Sequence, residues 1–258
     1  MRRLIVEEPY SKSALLSRRL AAFAVAVALV GVVVARGGID PPAALAVLVG
    51  SIGLAAGAIL CALLAFAVIW RTGRQGAGQA AAGLFLALAL LAYPAYLSAT
   101  AMHLPRLADL STDIADPPVF SASRVAQAAR GGTTPPSVPP AMRKRQAQAY
   151  PKIQPILLDL DAEESFAAIL KAVSASGWRL VESTPPGQGR TGLGHVDAIA
   201  RSMIMGFPCD ITIRIRPIAD QTRIDIRSAS RFGPYDFRAN QRNIATFEAA
   251  LEAVVDKN

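Results

Sequence analysis

The chain begins with three long apolar segments, and none of comparable length follows Met102. The three segments contain no charged residue: Leu20–Ala35, Ala43–Trp70 and Ala80–Met102. A bilayer core about 30 Å thick requires about 20 apolar helical residues, which the second and third segments provide. The first is shorter, but the flanking Arg18 and Arg36 can extend it by snorkelling. The pattern therefore predicts a membrane anchor over residues 1–102, with helices at about 20–36, 43–70 and 80–102.

Beyond Ile153 the hydrophobic pattern changes to that of a compact domain. Asp161 is predicted to cap a helix, with Glu164 three residues later as in a capping box. The apolar residues that follow recur at i, i+3, i+4 and i+7, which places them on one helical face. They are Phe166, Ile169, Leu170 and Val173. Gly177 is the residue type that commonly ends a helix, so the predicted helix runs from about 161 to 177.

Two later segments alternate between isoleucine and polar residues, the period of an amphipathic β-strand. Ile211, Ile213 and Ile215 alternate with Thr212, Arg214 and Arg216, and Ile224 and Ile226 alternate with Arg223, Asp225 and Arg227. The short connection between them predicts a hairpin whose isoleucines face a core. The same parity places Arg214 opposite Asp225, as a cross-strand pair of opposite charge.

Three further strands and a final helix complete the predicted domain. Strands are expected at Pro155–Asp159, Trp178–Glu182 and His195–Ser202, and the last helix from about Asp236. The order β-α-β-β-β-β-α favours an antiparallel sheet with helices on one face, an α+β fold over residues 151–258. A domain of this size can bury an independent core.

Residues 103–150 are rich in proline and show no regular periodicity, so we expect irregular chain there. Asp116-Pro117-Pro118 and the proline-rich segment 133–140 both interrupt regular structure. A segment of this length is long for a loop inside a domain. We therefore interpret residues 103–150 as a linker, part of which is either a strap laid on the domain or a tether.

The distribution of charge argues against nucleic acid as a partner. The 258-residue chain has a formal net charge of +8, and residues 1–102 contribute +5 of it through eight Lys/Arg and three acids. The remaining nineteen Lys/Arg and sixteen acids leave +3 on residues 103–258. Most of the excess therefore flanks the apolar segments, and the soluble part is less basic than a nucleic-acid-binding domain.

Cations are concentrated on one side of the predicted spans, which indicates the orientation of the chain. The richer side contains Arg2, Arg3, Lys12, Arg18, Arg19, Arg71 and Arg74. The opposite side contains Arg36 and Arg106. The positive-inside rule then predicts a cytoplasmic N-terminus and, after three spans, a C-terminal domain on the outer side of the membrane. A cleaved signal peptide over residues 1–35 is the alternative, and it leaves the domain on the same side.

Residue types that build disulfides, metal sites and cofactor sites are sparse. Cys61 lies in the second span and Cys209 in the soluble part, so they cannot form an intrachain disulfide. With two histidines in the chain and no Cys/His cluster, we expect no metal site. Gly187, Gly189 and Gly192 match G-x-G-x-x-G, but no helix is predicted to follow and bind a pyrophosphate. We therefore expect no cofactor.

The second span contains a G-x-x-x-G motif, Gly53 to Gly57, which forms a smooth helical face. Such faces allow two helices to approach closely. We favour packing against the first and third spans of the same chain. Homo-oligomerisation through span two is the alternative.

The polar side of the predicted hairpin is the best candidate for a binding site. Arg214, Arg216, Arg223 and Arg227 form a cationic strip on the outer sheet face, with Arg231 beyond. Guanidinium groups bind phosphate and carboxylate through paired hydrogen bonds. The alternative, which we favour, is an ordinary solvated face partly neutralised by Asp225.

Four groups of residues resemble motifs of the DUF1499 family. They are Ser111–Phe120 with Asp113 and Asp116, Ala149-Tyr150-Pro151, Gly177-Trp178, and Ser228–Ile244 with Ser230, Arg231, Asp236, Asn240 and Arg242. The resemblance covers roughly residues 108–255. This family comprises small domains of proteobacteria and plants that in bacteria often follow membrane spans, and it implies no established activity, cofactor or catalytic residue. It does imply that the aspartate–proline segment and the segment from Ser230 to Arg242 are the places to look for a site.

Three functional hypotheses follow. The first is an inner-membrane protein whose periplasmic domain binds an envelope partner or an anionic ligand without catalysis. The second is a hydrolase-like envelope enzyme with its site near Ser230, Arg231 and Asp236, although a hydrogen-bond network fixing that junction is the interpretation we favour. The third is a structural subunit of a membrane complex that assembles through Gly53 and Gly57. A binding role is preferred because no nucleophile, base and orienting group can be identified together.

Overall fold

The computed structural model describes residues 9–38, 41–188, 192–203, 205–233, 235 and 237–256. The chain forms two compact units, an N-terminal helical unit and an α+β unit that follows it. The helical unit contains α1 (Lys12–Gly37), α2 (Pro41–Thr72) and α3 (Ala77–His103). Each helix is long and apolar enough to cross a membrane, as the three apolar segments predict.

The three apolar helices pack against one another through small residues. The cluster at their centre consists of Ala21, Ala24, Ala55, Ala58 and Ala87. Ser17 of α1 donates a 2.9 Å hydrogen bond to the carbonyl oxygen of Ala58 in α2. Gly83 of α3 lies so close to α1 that a Cβ atom there would be 2.3 Å from the Ser17 hydroxyl. Small side chains let these backbones approach closely.

The G-x-x-x-G face of α2 lies outside this packing. A Cβ atom built on Gly53 or Gly57 would meet no atom within 4 Å. The buried positions of α2 are instead Ala44, Ser51, Ala55, Ala58, Ala62 and Ala65. Alanine allows nearly the same approach as glycine, so α1 and α3 use this neighbouring face. Our expectation that Gly53 and Gly57 pack against spans of the same chain was therefore wrong.

The α+β unit is built on an antiparallel sheet, as the strand pattern predicts. Its strands are β1 (Asp109–Ser111), β2 (Ile156–Leu158), β3 (Arg179–Thr184), β4 (Gly194–Arg201), β5 (Pro208–Ile218) and β6 (Gln221–Ser230). The order across the sheet is β1-β6-β5-β4-β3, and β2 also pairs with β6. Helices α6 (Ala162–Ala175) and α7 (Ala239–Val255) complete the predicted order.

Residues 103–150, expected to be irregular, contribute three elements to this unit. They are β1, α4 (Arg124–Ala129) and α5 (Pro140–Ala149). The three residues of β1 are too few for a detectable alternation, and the strand exists through its pairing with β6. Helix α4 is capped by the Ser123 hydroxyl, which accepts from the Ala126 amide at 3.1 Å. Helix α5 begins with Pro140, a residue favoured at the first helical position.

The core lies between the isoleucine face of the hairpin and the two long helices. Ile211, Ile213, Ile215, Ile224 and Ile226 are fully buried. They belong to one cluster with Ile169 and Val173 of α6 and Phe247 and Leu251 of α7. Arg214 and Asp225 are direct cross-strand partners. The predicted hairpin, its register and the side of the sheet that faces the helices are thus confirmed.

Candidate functional site, an arginine–aspartate network beneath a strap

The side of the sheet opposite the isoleucines is polar, charged and largely buried. Residues 109–139, here named the strap, contact this side through the hydrogen bonds and ion pairs described below. Thr212 and Asp225 have no exposed surface, and Arg227 is 2% exposed. The expectation of a solvated outer face was therefore wrong. Strap carboxylates and carbonyls replace water as partners of the arginines, which removes most of the cost of burying them.

Arg214 forms ion pairs with three aspartates of this network. Its Nε and Nη2 donate to Oδ2 of Asp225 at 3.0 and 2.8 Å, and its Nη1 donates to Oδ2 of Asp116 at 2.7 Å. Nη2 also reaches the carbonyl oxygen of Asp116 at 2.8 Å and Oδ2 of Asp113 at 3.2 Å. Burial lowers the pKa of Arg214, but bonding and attraction to Asp225 and Asp116 outweigh it and raise the pKa above its ordinary value.

Asp113 connects the strap to the hairpin and also shapes the strap itself. Its Oδ2 accepts from Nη2 of Arg223 at 2.7 Å, while Nε of Arg223 donates to Asp225 at 2.8 Å. Its Oδ1 accepts from the amides of Ala115 and Asp116 at 3.1 and 2.9 Å, as in an Asx turn. Both strap candidates from the sequence, Asp113 and Asp116, therefore lie against the arginine strip.

Arg216 lies at the rim of the network. Its Nη2 is 3.6 Å from Oδ2 of both Asp116 and Asp225, and its side chain is 32% exposed. Its cross-strand partner is Arg223, so two like charges face each other at this end of the hairpin. The anionic groups nearby offset the repulsion between them.

Arg227 is enclosed by the strap. Its guanidinium bonds Asp109, with the shortest contact at 2.7 Å, and the carbonyl oxygens of Pro118 and Pro136 at 3.2 and 2.5 Å. Its Cζ lies 4.9 Å from the centroid of the Phe120 ring, a cation–π contact. Its charge and donors are satisfied within the protein, so Arg227 acts here as a structural residue.

A second buried cluster surrounds Asp197 in β4. Asp197 forms an ion pair with Arg130 and accepts from the Ser121 amide at 3.1 Å. Its Oδ1 lies 3.0 Å from Nε2 of His195. Burial raises the pKa of Asp197, but His195, Thr212 and Arg130 together lower it below its ordinary value.

Glu182 of β3 extends this cluster toward the strap. It accepts from the hydroxyl of Ser121 at 3.1 Å and from the hydroxyl of Ser123. Sequence reasoning missed Arg130, Asp197 and Glu182. His195 and Asp197 occupy alternate positions of a predicted strand, which indicates a shared face, but no local signal links them to Arg130 in the strap.

The segment after β6, identified from the family resemblance, divides into separate interactions. Arg231 bonds Asp210 of β5, with the shortest contact at 2.6 Å, and the carbonyl oxygen of Ala129 at 3.3 Å. Arg242 is exposed on α7. Asp236 lies outside the described residues. The structure therefore places Arg231 in the polar face of the sheet and Arg242 on the protein surface.

Asn240 and Ser230 are brought together in a buried junction between β6 and α7. Asn240 is fully buried. Its side-chain amide donates to the carbonyl oxygen of Ala108 at 2.9 Å and to the hydroxyl of Ser230 at 3.1 Å. Its carbonyl oxygen accepts from Ser228 at 2.7 Å, and Asn243 donates to the same serine at 3.1 Å. This arrangement fixes the start of α7 against the sheet.

Two open depressions are found on the α+β unit. The larger, 390 Å³, lies beside the β5–β6 turn and is lined by Asp159, Asp161, Glu164 and Asp220 among others. The smaller, 260 Å³, is lined by residues around Tyr150 and by Gln241. Neither includes Ser230 or Arg231, so neither provides the hydrolase hypothesis with a substrate pocket.

The glycine-rich motif lies in the connection between β3 and β4. The amide of Gly187 donates to the carbonyl oxygen of Gly192 at 2.8 Å, and Gly189 lies outside the described residues. A strand follows it, and a strand offers no helix N-terminus for a phosphate. Among the residues that the structure describes, no group of three His, Cys, Asp or Glu could hold a metal ion.

The comparison with known families bears on the whole sheet and strap. The sequence model described as "Protein of unknown function (DUF1499)" matches residues 109–251. The match begins at the first residue of β1 and ends within α7, so it includes the strap, the six described strands, α6 and most of α7. Among curated proteins, none gives a significant match. Because the matched region exceeds half of the sequence, the chain belongs to the DUF1499 family.

Proposed function

We propose that this protein is a multi-pass protein of the bacterial inner membrane whose periplasmic α+β domain binds an envelope partner or an anionic ligand without catalysis. One observation carries the proposal. Six arginines, Arg130 in the strap and five on the polar face of the sheet, can each be paired with a different aspartate: Arg130–Asp197, Arg214–Asp225, Arg216–Asp116, Arg223–Asp113, Arg227–Asp109 and Arg231–Asp210. Four of these pairs join the strap to the sheet and two lie within the sheet. The charged side chains therefore hold the fold together, which favours a binding surface over a reaction centre.

The asymmetry of cations supports the proposed orientation. Seven cations lie before α1, in its first turns, or around the connection between α2 and α3: Arg2, Arg3, Lys12, Arg18, Arg19, Arg71 and Arg74. Near the connection between α1 and α2 the sequence has one, Arg36. Retention of Lys and Arg in the cytoplasm orients multi-pass proteins in this way. Three spans then deliver the domain to the periplasm.

Alkaline phosphatase fusions test this orientation, because the enzyme is active only after export. A fusion after Asn258 is expected to be active, and a matched fusion after Arg74 inactive. Equal expression of the two fusions provides the control. An inactive C-terminal fusion at good expression would place the domain in the cytoplasm and overturn the proposal.

A binding role is tested by purifying the intact chain from its native membrane and identifying the proteins and lipids that remain bound. The control is residues 1–102 expressed alone, which contain the three helices without the α+β domain. Molecules retained by the intact chain and lost from the control are expected ligands of the domain. Recovery of an identical set with both would contradict a role for the domain in binding.

We also infer a second candidate function, that of a structural subunit assembled through α2. The observation behind it is the open face at Gly50, Gly53 and Gly57, where an added Cβ would meet no atom within 4 Å. In a Cys61→Ala background, Gly57→Cys is expected to give disulfide-linked dimers. Ala58→Cys, on the face buried within the chain, is the matched control. Monomer alone from both variants would contradict assembly through this face.

A further inference from the structure

Arg216 differs from the other five arginines of the network. The others form charge-assisted hydrogen bonds to an aspartate, whereas the contacts of Arg216 with Asp116 and Asp225 are 3.6 Å long, beyond hydrogen-bonding distance. Its side chain is 32% exposed, the largest fraction among the six. Within the described ranges its guanidinium has no hydrogen-bonded partner, so several donors are directed at solvent.

Asp116 occupies the position that an external anion would take. Its side chain is 71% exposed, and its Oδ2 lies 2.7 Å from Nη1 of Arg214 and 3.6 Å from Nη2 of Arg216. A carboxylate between two guanidinium groups is the arrangement in which proteins bind carboxylate and phosphate ligands. This carboxylate comes from the strap and is reached directly by solvent.

The backbone at Asp116 is held independently of its side chain. Its amide donates to Oδ1 of Asp113 at 2.9 Å, and its carbonyl oxygen accepts from Nη2 of Arg214 at 2.8 Å. The carboxylate can therefore rotate into solvent while the strap remains in place. When it does, the carboxylates of the described residues that remain in contact with Arg214, Arg216 and Arg223 are those of Asp113 and Asp225.

We propose that Arg214, Arg216 and Arg223 form a site for a carboxylate or phosphate group, in which the Asp116 side chain is a tethered competitor. This inference rests on the proposed binding function and specifies the class of its ligand. An entering anion would take the bonds that Asp116 makes to Arg214 and would also engage the donors of Arg216. It would reduce the repulsion between Arg216 and Arg223 as well, which are direct cross-strand partners.

The proposal is tested by titrating the full chain, in a nonionic detergent, with inorganic phosphate and measuring binding by calorimetry. Asp116→Ala is expected to tighten binding about fivefold, because an exposed ion pair contributes up to about 1 kcal/mol to the competing state. Asp116→Asn removes the charge while keeping the shape, and is expected to change affinity in the same direction. It serves as the second variant if Asp116→Ala is poorly folded.

Arg216→Ala is expected to weaken phosphate binding at least tenfold without changing the thermal midpoint. The matched control is Arg179→Ala, which removes another exposed arginine from the same sheet. In the sheet Arg179 pairs with Ile199, and Ile199 pairs with Asp210 of β5. Asp210 is six residues from Arg216 along that strand, or about 20 Å, so Arg179 is far from the proposed site. Unchanged affinity in Asp116→Ala and Asp116→Asn, or wild-type affinity in Arg216→Ala, would overturn the site.

Nanodiscs distinguish a soluble anion from a lipid headgroup as the source of this group. The affinity for phosphate is measured in nanodiscs of phosphatidylglycerol and in nanodiscs of phosphatidylcholine. If the wild type binds phosphate more weakly in phosphatidylglycerol, and Arg216→Ala removes this difference, a headgroup occupies the site. Equal titrations in both lipids assign the site to a soluble anion. Failure of phosphate binding together with an active C-terminal phosphatase fusion would overturn this site alone and leave the broader function in place.

Discussion

The guanidinium of Arg227 lies over the ring of Phe120, with Cζ 4.9 Å from the ring centroid. Arg227 belongs to the sheet and Phe120 to the strap, and both are almost fully buried. A second cation, Arg130 of the strap, has its Cζ 5.3 Å from the same centroid. This aromatic ring between two cations joins the two halves of the network, one centred on Arg214 and the other on Asp197.

We predict that Arg227→Ala destabilises the domain by about 3–5 kcal/mol. Removing one partner of a buried ion pair leaves the other charge uncompensated, here Asp109, and leaves two strap carbonyls without their donor. Arg227→Lys keeps the charge but loses the planar fork, and is expected to give an intermediate loss. Thermal unfolding of the full chain in detergent measures both.

The control for this experiment is Arg179→Ala, which removes an exposed arginine from the edge strand of the same sheet. It is expected to leave the midpoint unchanged. Equal midpoints for Arg227→Ala and Arg179→Ala would show that the strap contacts of Arg227 contribute little to stability.

Asp113 and Asp116 of the strap are predicted to differ sharply in how much they contribute to the free energy of unfolding. Asp113→Ala is expected to cost about 3 kcal/mol, because its carboxylate bonds Arg223, Arg214 and two strap amides and its side chain is 10% exposed. Asp116→Ala is expected to cost less than about 1 kcal/mol, because its side chain is 71% exposed. Denaturant unfolding of the two variants in parallel measures the difference, and equal losses would contradict the assigned roles.

Asp197 is predicted to make the stability of the domain depend on pH in the acid range. Its pKa is held below the ordinary value of about 3.9 in the folded protein, so its contribution is fully present above that pH. The contribution is lost as pH falls through the folded-state pKa, because the proton then removes the charge that attracts His195 and Arg130. The stability gap between wild type and Asp197→Asn should therefore narrow as the pH falls below about 4. A gap that stays constant down to pH 2 would exclude this linkage.

Glu248 is predicted to destabilise α7 at neutral pH. Burial, with repulsion from Glu252 one turn later, raises the pKa of Glu248 above its ordinary value. The penalty is present above the folded-state pKa and disappears as pH falls below the unfolded value. Glu248→Gln is therefore expected to raise stability at pH 7 by about 0.5 kcal/mol, the size of a like-charge pair on a helix.

The matched control is Glu163→Gln, in the first turn of α6, where a negative charge favours the helix dipole. Its midpoint is expected to stay the same or fall slightly. If Glu248→Gln were less stable than the wild type at pH 7, the charge of Glu248 would be stabilised by its surroundings.

Much of the scaffold follows from local sequence pattern. The three apolar segments predict α1, α2 and α3, and the alternation from Ile211 to Arg227 predicts β5, β6 and the Arg214–Asp225 pair. These features depend on the period of the backbone, 3.6 residues in a helix and two in a strand. Such a period can be recognised from residues that are close together in the sequence. The arginines of the polar face could be identified for the same reason.

Their partners in the strap could not be identified, because a periodic pattern contains no information about distant segments. Asp109, Asp113 and Asp116 lie about a hundred residues before the arginines they contact, in a segment whose prolines favoured irregular chain. A charge on the polar side of a strand is equally consistent with water and with a covering strap. Only the tertiary structure decides that the strap covers the sheet, because the covering depends on ion pairs between strap aspartates and sheet arginines that are far apart in sequence.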